Sequence, residues 1–222
     1  MIDSLANLPV ILLIVFKLAV RFIPLFVALM GYDLLAGEVA PKSIRYLLIR
    51  ARRSSIVVGK FFAQATVVAI LIAVSTLLMV VGAGLADPKF LLSDAAIWTL
   101  KLMSASYALA IAYLGLTTLC SSLVQQPSVA LIVNLIALFF TWLIAFVGEM
   151  FVVPGQVIAT ADSMIPKSES FAAYLQYASI WHYTNDLLHP QTLQLFTAYA
   201  VLVGFTVLFV GLSTLALRPR DL

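Results

Sequence analysis

Charge is what this sequence has least of. Only 10% of its 222 residues are Asp, Glu, Lys or Arg, while 63% are hydrophobic and the mean hydropathy is +1.09. A soluble domain carries about 25% charged residues. A chain this apolar has too little polar surface to cover a water-facing core, so its solvent is the bilayer. Cysteine is almost as scarce. The single Cys120 excludes an intrachain disulfide framework, and its apolar setting reads as a small buried hydrophobe rather than a reactive thiol. The N-terminus has neither a charged n-region nor a small-residue cleavage site, so no removable signal peptide is expected. A G-x-x-x-x-G-K-[ST] phosphate loop is missing too: Gly59-Lys60 has no glycine at the required distance upstream and follows no strand. The G-x-S-x-G and H-E-x-x-H patterns of hydrolases and metalloproteases do not occur, nor do paired intramembrane carboxylates.

What the sequence does have is long apolar runs. About 20 apolar residues cross the hydrocarbon, and five segments qualify: residues 9–32, 61–84, 102–124, 128–148 and 193–217. Each is expected to be a helix, because an open strand edge cannot be satisfied in lipid. The expected fold class is therefore all-α, a polytopic membrane helix bundle forming one domain over residues 1–222.

The basic residues are unevenly placed. Lys42, Arg45, Arg50, Arg52, Arg53 and Lys60 lie in the first connection, with no acid between Lys42 and Lys60, and Arg218 and Arg220 close the chain. The positive-inside rule assigns that connection and the C-terminus to the cytoplasm, which leaves the N-terminus of a five-span chain outside. The turn Ser121 to Pro127 is then cytoplasmic as well.

Several positions within the spans are polar. Lys17 and Arg21 are four apart and share a helix face. They line a water-filled path, or they snorkel to the outer interface. Pro24 is placed to kink the helix. Tyr107, Tyr113 and Asn134 either line a path or hydrogen-bond to neighbouring helices. Ala65, Ala69 and Ala73, and Ser104, Ala108 and Ala112, form small-residue ridges suited to close helix packing.

The outer connection, residues 149–191, is too apolar for a loose loop and reads as short helices lying at, or dipping into, the outer interface. His182, Asp186 and His189, with Glu149 in the same connection, have ligand-like spacing that a membrane enzyme with a metal site would use. Interfacial histidines in an aromatic belt are the alternative, and we expect no metal.

The first connection, residues 34–60, has an internal order. Asp33 and Glu38 come at the inner end of the first span. Pro41 disfavours helix at Ala40 and suits the first position of a new one. Ile44, Leu47 and Leu48 then share one face, as in a short amphipathic helix. Arg50 to Arg53 forms a basic turn, and Ser54 or Ser55 is placed to cap the next helix. The cluster either enforces topology and binds anionic headgroups, or docks a cytoplasmic partner.

This order resembles that in permease subunits of ABC-2-type transporters. There an acid at the inner end of the second span is followed by Gly-Thr, Leu-Leu, a Pro-rich turn with Arg, and Gly-Lys. Glu38 matches the acid, Leu47-Leu48 the leucine pair, Arg52 and Arg53 the basic turn, and Gly59-Lys60 the closing pair. Lys42-Ser43 replaces Gly-Thr, and Ala51 stands where proline is usual. The resemblance implies the transmembrane subunit of an ATP-driven exporter in the plasma membrane. It aligns the first span here with the family's second, as if the family's first span were missing. It implies that Glu38, Lys42, Ser43, Ile44, Arg45, Leu47, Leu48, Arg50, Arg52, Arg53, Gly59 and Lys60 dock a separate ATP-binding subunit. That subunit would hold ATP and magnesium, and this chain no cofactor. A second permease subunit and the lipid bilayer are the other implied partners; nucleic acid is not one. A non-catalytic membrane scaffold is the remaining alternative.

Overall fold

The computed structural model describes residues 10–39, 53–86, 92–152, 176–184, 186–188 and 192–217. Those residues are helical or in turns, and no strand occurs among them. Helix α1 is Val10–Gly31, followed by a four-residue helical turn, α2, Ala36–Val39. The long helices α3, Arg53–Ala86, and α4, Leu92–Leu123, come next. Helix α5 is Pro127–Val152 and α6 is Thr192–Ala216. Three 3₁₀ turns, Gln176–Ala178, His182–Thr184 and Asp186–Leu188, lie between α5 and α6.

Four of these helices are long and apolar enough to cross a membrane: over Ser54–Gly82, Thr99–Leu123, Pro127–Gly148 and Leu193–Ala216. Helix α1 has 22 residues, about 33 Å at 1.5 Å per residue, which matches the hydrocarbon thickness. It carries Lys17 and Arg21 on its exposed surface, and it runs through Pro24 as one helix.

The apolar centres fall where hydropathy puts them, but the helix ends do not. Helix α3 begins at Arg53 rather than near Phe61, so Ser54 and Ser55 sit in its first turn instead of capping it, and Gly59-Lys60 lies inside the helix. Helix α4 begins at Leu92, ten positions before the expected span. Helix α5 continues through Val152 and takes in Glu149, assigned above to the outer connection. Hydropathy marks where the hydrocarbon ends, whereas the i to i−4 backbone ladder continues into the interface as long as no proline or glycine stops it.

Helix α4 is the axis of the bundle. It packs against α1, α3, α5 and α6. Of its span, 67% is buried inside the protein, against 17%, 17% and 11% for the spans of α3, α5 and α6. The outer helices therefore turn most of their surface outward, and that surface is apolar: Phe62, Leu78, Phe139, Phe140, Phe196 and Val207 are among its exposed side chains. In water such a surface would be an aggregation site; in a bilayer it faces lipid tails.

The core runs along α4 through Leu102, Leu109, Tyr113, Leu114 and Leu116, meeting Val27 of α1, Val68 of α3 and Leu202 of α6. Helices α4 and α6 run parallel. Tyr199 donates to Ser104 at 2.9 Å near one end, and Ser213 reaches the Thr118 carbonyl at 3.5 Å near the other. One end of the bundle thus gathers the end of α1, the start of α3, the end of α4, the start of α5 and the end of α6. Leu35, Val57 and Leu217 are buried together there.

Candidate functional site

The chain leaves α1 at the end of the bundle just described, and it does so through a tight elbow. The last four carbonyls of a helix lack intrahelical partners, and so do the first amides of the next. Within the hydrocarbon those groups must be satisfied by the protein itself, whereas at its surface water and headgroups also serve. Helix α1 ends with Tyr32 N–H on the Ala28 carbonyl at 3.1 Å and Leu34 N–H on the Gly31 carbonyl at 3.1 Å. The turn continues with Gly37 N–H on the Asp33 carbonyl at 2.9 Å.

Side chains from three other helices complete the set. From α3, Lys60 Nζ donates to the Leu34 carbonyl at 2.6 Å, and Gln64 Nε2 donates to the Met30 carbonyl at 3.3 Å. From α5, Asn134 Nδ2 donates to the Ala28 carbonyl at 3.3 Å and to Thr117 Oγ1 at 3.3 Å. Thr117 passes its own proton to the Tyr113 carbonyl at 2.9 Å. From α4, Ser121 Oγ accepts both the Leu35 and the Ala36 N–H, each at 3.0 Å. Asn134, Thr117 and Ser121 are fully buried. Gly31 allows this approach: a Cβ there would lie 2.9 Å from Thr117 Cγ2.

The elbow leads directly into the basic segment singled out above. Lys42, Ser43, Ile44, Arg45, Leu47, Leu48, Arg50 and Arg52 lie outside the described residues, and so does Pro41. Glu38 is in α2 and Arg53 opens α3. Gly59 is exposed, with open space where a side chain would go. Lys60 is half-buried and engaged by the elbow of its own chain.

The residues proposed to line a path are not brought together. Asn134 and Tyr113 are buried in the helix contacts, the latter beside the Thr141 side chain. Tyr107 is partly exposed on α4. Lys17 and Arg21 face outward. An apolar crevice of about 230 Å³ between α1, α3 and α4 is lined by Phe26, Val27, Val68, Leu71 and Ala110 among others, and by none of those five polar residues.

At the opposite end, the 3₁₀ turns are pressed into the bundle. Ser179 Oγ donates to the Thr141 carbonyl of α5 and accepts the Trp181 N–H at 3.1 Å. Ile180 and Leu187 join the core. Gly148 makes room for the first turn: a Cβ there would lie 2.6 Å from Gln176 Cβ and 2.8 Å from its backbone nitrogen. The Arg21 guanidinium sits over the Trp181 ring, 5.6 Å from its centre, a cation–π geometry. His182 packs edge-on between Tyr177 and Tyr183, at 5.0 and 5.2 Å between ring centres. Burial, reinforced by Tyr177 and the Asp186 carboxylate, pushes the Tyr183 phenol above its ordinary range. Among the described residues no group of three potential metal ligands occurs; His189 lies outside them. The imidazole of His182 is thus part of an aromatic cluster.

Ser121, Thr117 and Gln64 were not among the residues singled out from sequence. The available signal was the spacing of Thr117 and Ser121, four apart and so on one face of an otherwise apolar helix. Residues 7–222 match the family model described as ABC-2 family transporter protein. A comparison with curated proteins finds no match.

Proposed function

The chain belongs to the ABC-2 transporter family, and on that premise we propose that it is the permease subunit of an ATP-driven exporter, docked to a separate ATP-binding subunit through the segment from Glu38 to Lys60. One observation supports this reading above the others. The last turn of α1 and the elbow, residues 28–37, hand the basic segment over to the bundle, and their backbone is bonded to side chains of three different helices. A segment that served only to set topology would need no such attachment, since lysine and arginine at the headgroup level suffice for that.

In this reading Ile44, Leu47 and Leu48 give the partner an apolar contact face. Arg45, Arg50, Arg52 and Arg53 give it polar contacts, with Lys42, Ser43 and Gly59 at the edges. Glu38 pairs with Lys42 one turn on, or with a basic residue of the partner. Closure of the ATP-binding subunits, which carry ATP and magnesium, displaces the segment. The elbow passes that displacement to the bundle. The end holding Lys60 and Leu217 then faces the cytoplasm and the end holding Trp181 faces outward, in the plasma membrane. A second permease, identical or related, completes the pathway, and Lys17 and Arg21 suit an anionic or amphipathic cargo.

Co-purification with a candidate ATP-binding subunit co-expressed with this chain tests the reading. Wild type is expected to retain that subunit and to raise its ATPase rate. Leu47→Asp combined with Arg52→Glu is expected to lose both. Unchanged association and unchanged ATPase coupling in the double variant would overturn the docking assignment.

A further inference from the structure

The elbow has more attachment than a connection between two helices requires. A turn at a membrane surface can leave its carbonyls and amides to water or headgroups. Here the amides of Leu35 and Ala36, where the chain enters α2, share one buried hydroxyl, Ser121 Oγ, on α4. The carbonyl one residue before them, Leu34, is held by Lys60 of α3 at 2.6 Å. These contacts fall on adjacent residues, 34, 35 and 36, and pull in two directions, toward α4 and toward α3. Leu35 itself is buried against Val57 of α3 and Leu217 beyond α6. Rotation of the turn about its own backbone would break a charge-assisted hydrogen bond and strand two buried amides at once.

We propose that Ser121 and Lys60 are positioning residues that make the elbow and the adjoining ends of α3 and α4 move as one body. The inference rests on the permease reading for its purpose, because a rigid joint matters only if a partner displaces the segment after Val39. Its physical content stands apart from that reading. A flexible turn would absorb a push as a change in its own φ and ψ. A turn fixed at three successive residues passes the push to the two helices that fix it. Ser121 contributes an acceptor with no charge, suited to a buried site. Lys60 contributes reach and charge from the half-buried start of α3.

The test uses the full chain in lipid nanodiscs, with Cys120→Ala as background because the native thiol is buried. Spin labels at Gly37→Cys in α2 and Gln125→Cys just past α4 report the elbow-to-α4 distance by pulsed electron resonance. The parent is expected to give one narrow distribution. Ser121→Ala and Lys60→Met are each expected to broaden it at least twofold, and Lys60→Arg, which keeps a donor, to restore the parent width. A merely structural role of Lys60 as an apolar stem predicts the opposite ranking, with Lys60→Met narrow and Lys60→Arg broad. Widths unchanged in both Ser121→Ala and Lys60→Met overturn the proposal, even if Ser121→Ala lowers thermal stability. If Ser121→Ala fails to fold, the Lys60 pair decides alone. The measurement needs no partner, so its failure leaves the permease reading intact, and loss of ATPase association leaves the joint intact.

Discussion

The side-chain amide of Asn134 donates to the backbone carbonyl of Ala28 at 3.3 Å, joining α5 to the last turn of α1 across 106 positions of sequence. The same amide reaches Thr117 of α4, so a single residue ties three helices together. Hydrogen bonds between helices in lipid contribute modestly, because the unfolded chain in the membrane also finds partners. Replacing Asn134 by leucine, which keeps the volume and removes the donors, is expected to destabilise the bundle by about 1 kcal/mol. Replacing it by alanine is expected to cost about 1–2 kcal/mol more, because a cavity is left as well. Denaturant unfolding of the detergent-solubilised chain checks both, and a stabilising Asn134→Leu would show the bond to be dispensable.

At Gly148 the first 3₁₀ turn packs directly onto the backbone of α5. Gly148→Ala puts a methyl where the backbone nitrogen of Gln176 stands 2.8 Å away, and backbone cannot rotate aside as a side chain can. Displacement of the turn is expected to break the Ser179 bond to the Thr141 carbonyl. Amide hydrogen exchange at residues 176–184 should speed up at least tenfold, with α4 unchanged. Equal protection in the variant would mean that the turns can shift as a unit.

Gly59 presents the reverse case. It lies in the first two turns of α3 with nothing within 4 Å of an added Cβ. Gly59→Ala is therefore expected to stabilise α3 by about 0.5–1 kcal/mol, the helix cost of glycine. A bulkier Gly59→Leu should fold equally well and yet weaken retention of the ATP-binding subunit if that face is docked. Full retention with Gly59→Leu would remove Gly59 from the docking surface.

Arg21 over Trp181 connects α1 to the 3₁₀ turns. A cation–π contact of this kind contributes about 0.5–1 kcal/mol at exposed sites. In a background with Trp98→Phe and Trp142→Phe, Arg21→Gln is expected to shift the emission of Trp181 and to lower the melting temperature slightly. Arg21→Lys should retain most of both. Transport that survives Arg21→Gln would remove Arg21 from the pathway.

The positions of the spans were legible because a bilayer demands one long apolar run per crossing. The last is the clearest: 193–217 from hydropathy, Thr192–Ala216 in the structure. Helix ends were less legible, since Lys60, Lys101 and Glu149 are polar and yet helical. Backbone hydrogen bonding keeps such residues in the helix, and hydropathy does not register it. Asn134 as a bond between helices was one of two readings open from sequence, and the structure gives it that bond. Ser121 had only its spacing from Thr117, which puts both on one helix face without naming a partner. Its partners are amides 85 and 86 positions away, and nothing near Ser121 in sequence encodes where the end of α1 will fall. Trp181 likewise was expected only as an interfacial aromatic; its place beneath Arg21 follows from how far the 3₁₀ turns press into the bundle.

The length of α3 has a mechanical consequence. Its 34 residues span about 51 Å, roughly 20 Å more than the hydrocarbon. Lys60, where the elbow grips it, stands seven residues from one end and twenty-six from the other. At 1.5 Å per residue those arms are about 10 Å and 39 Å. A stiff rod fixed to the elbow at Lys60 carries any tilt of that joint along its longer arm: each degree moves Ala86 by about 0.7 Å, so a small rotation at one end becomes a larger sideways displacement on the far side of the membrane.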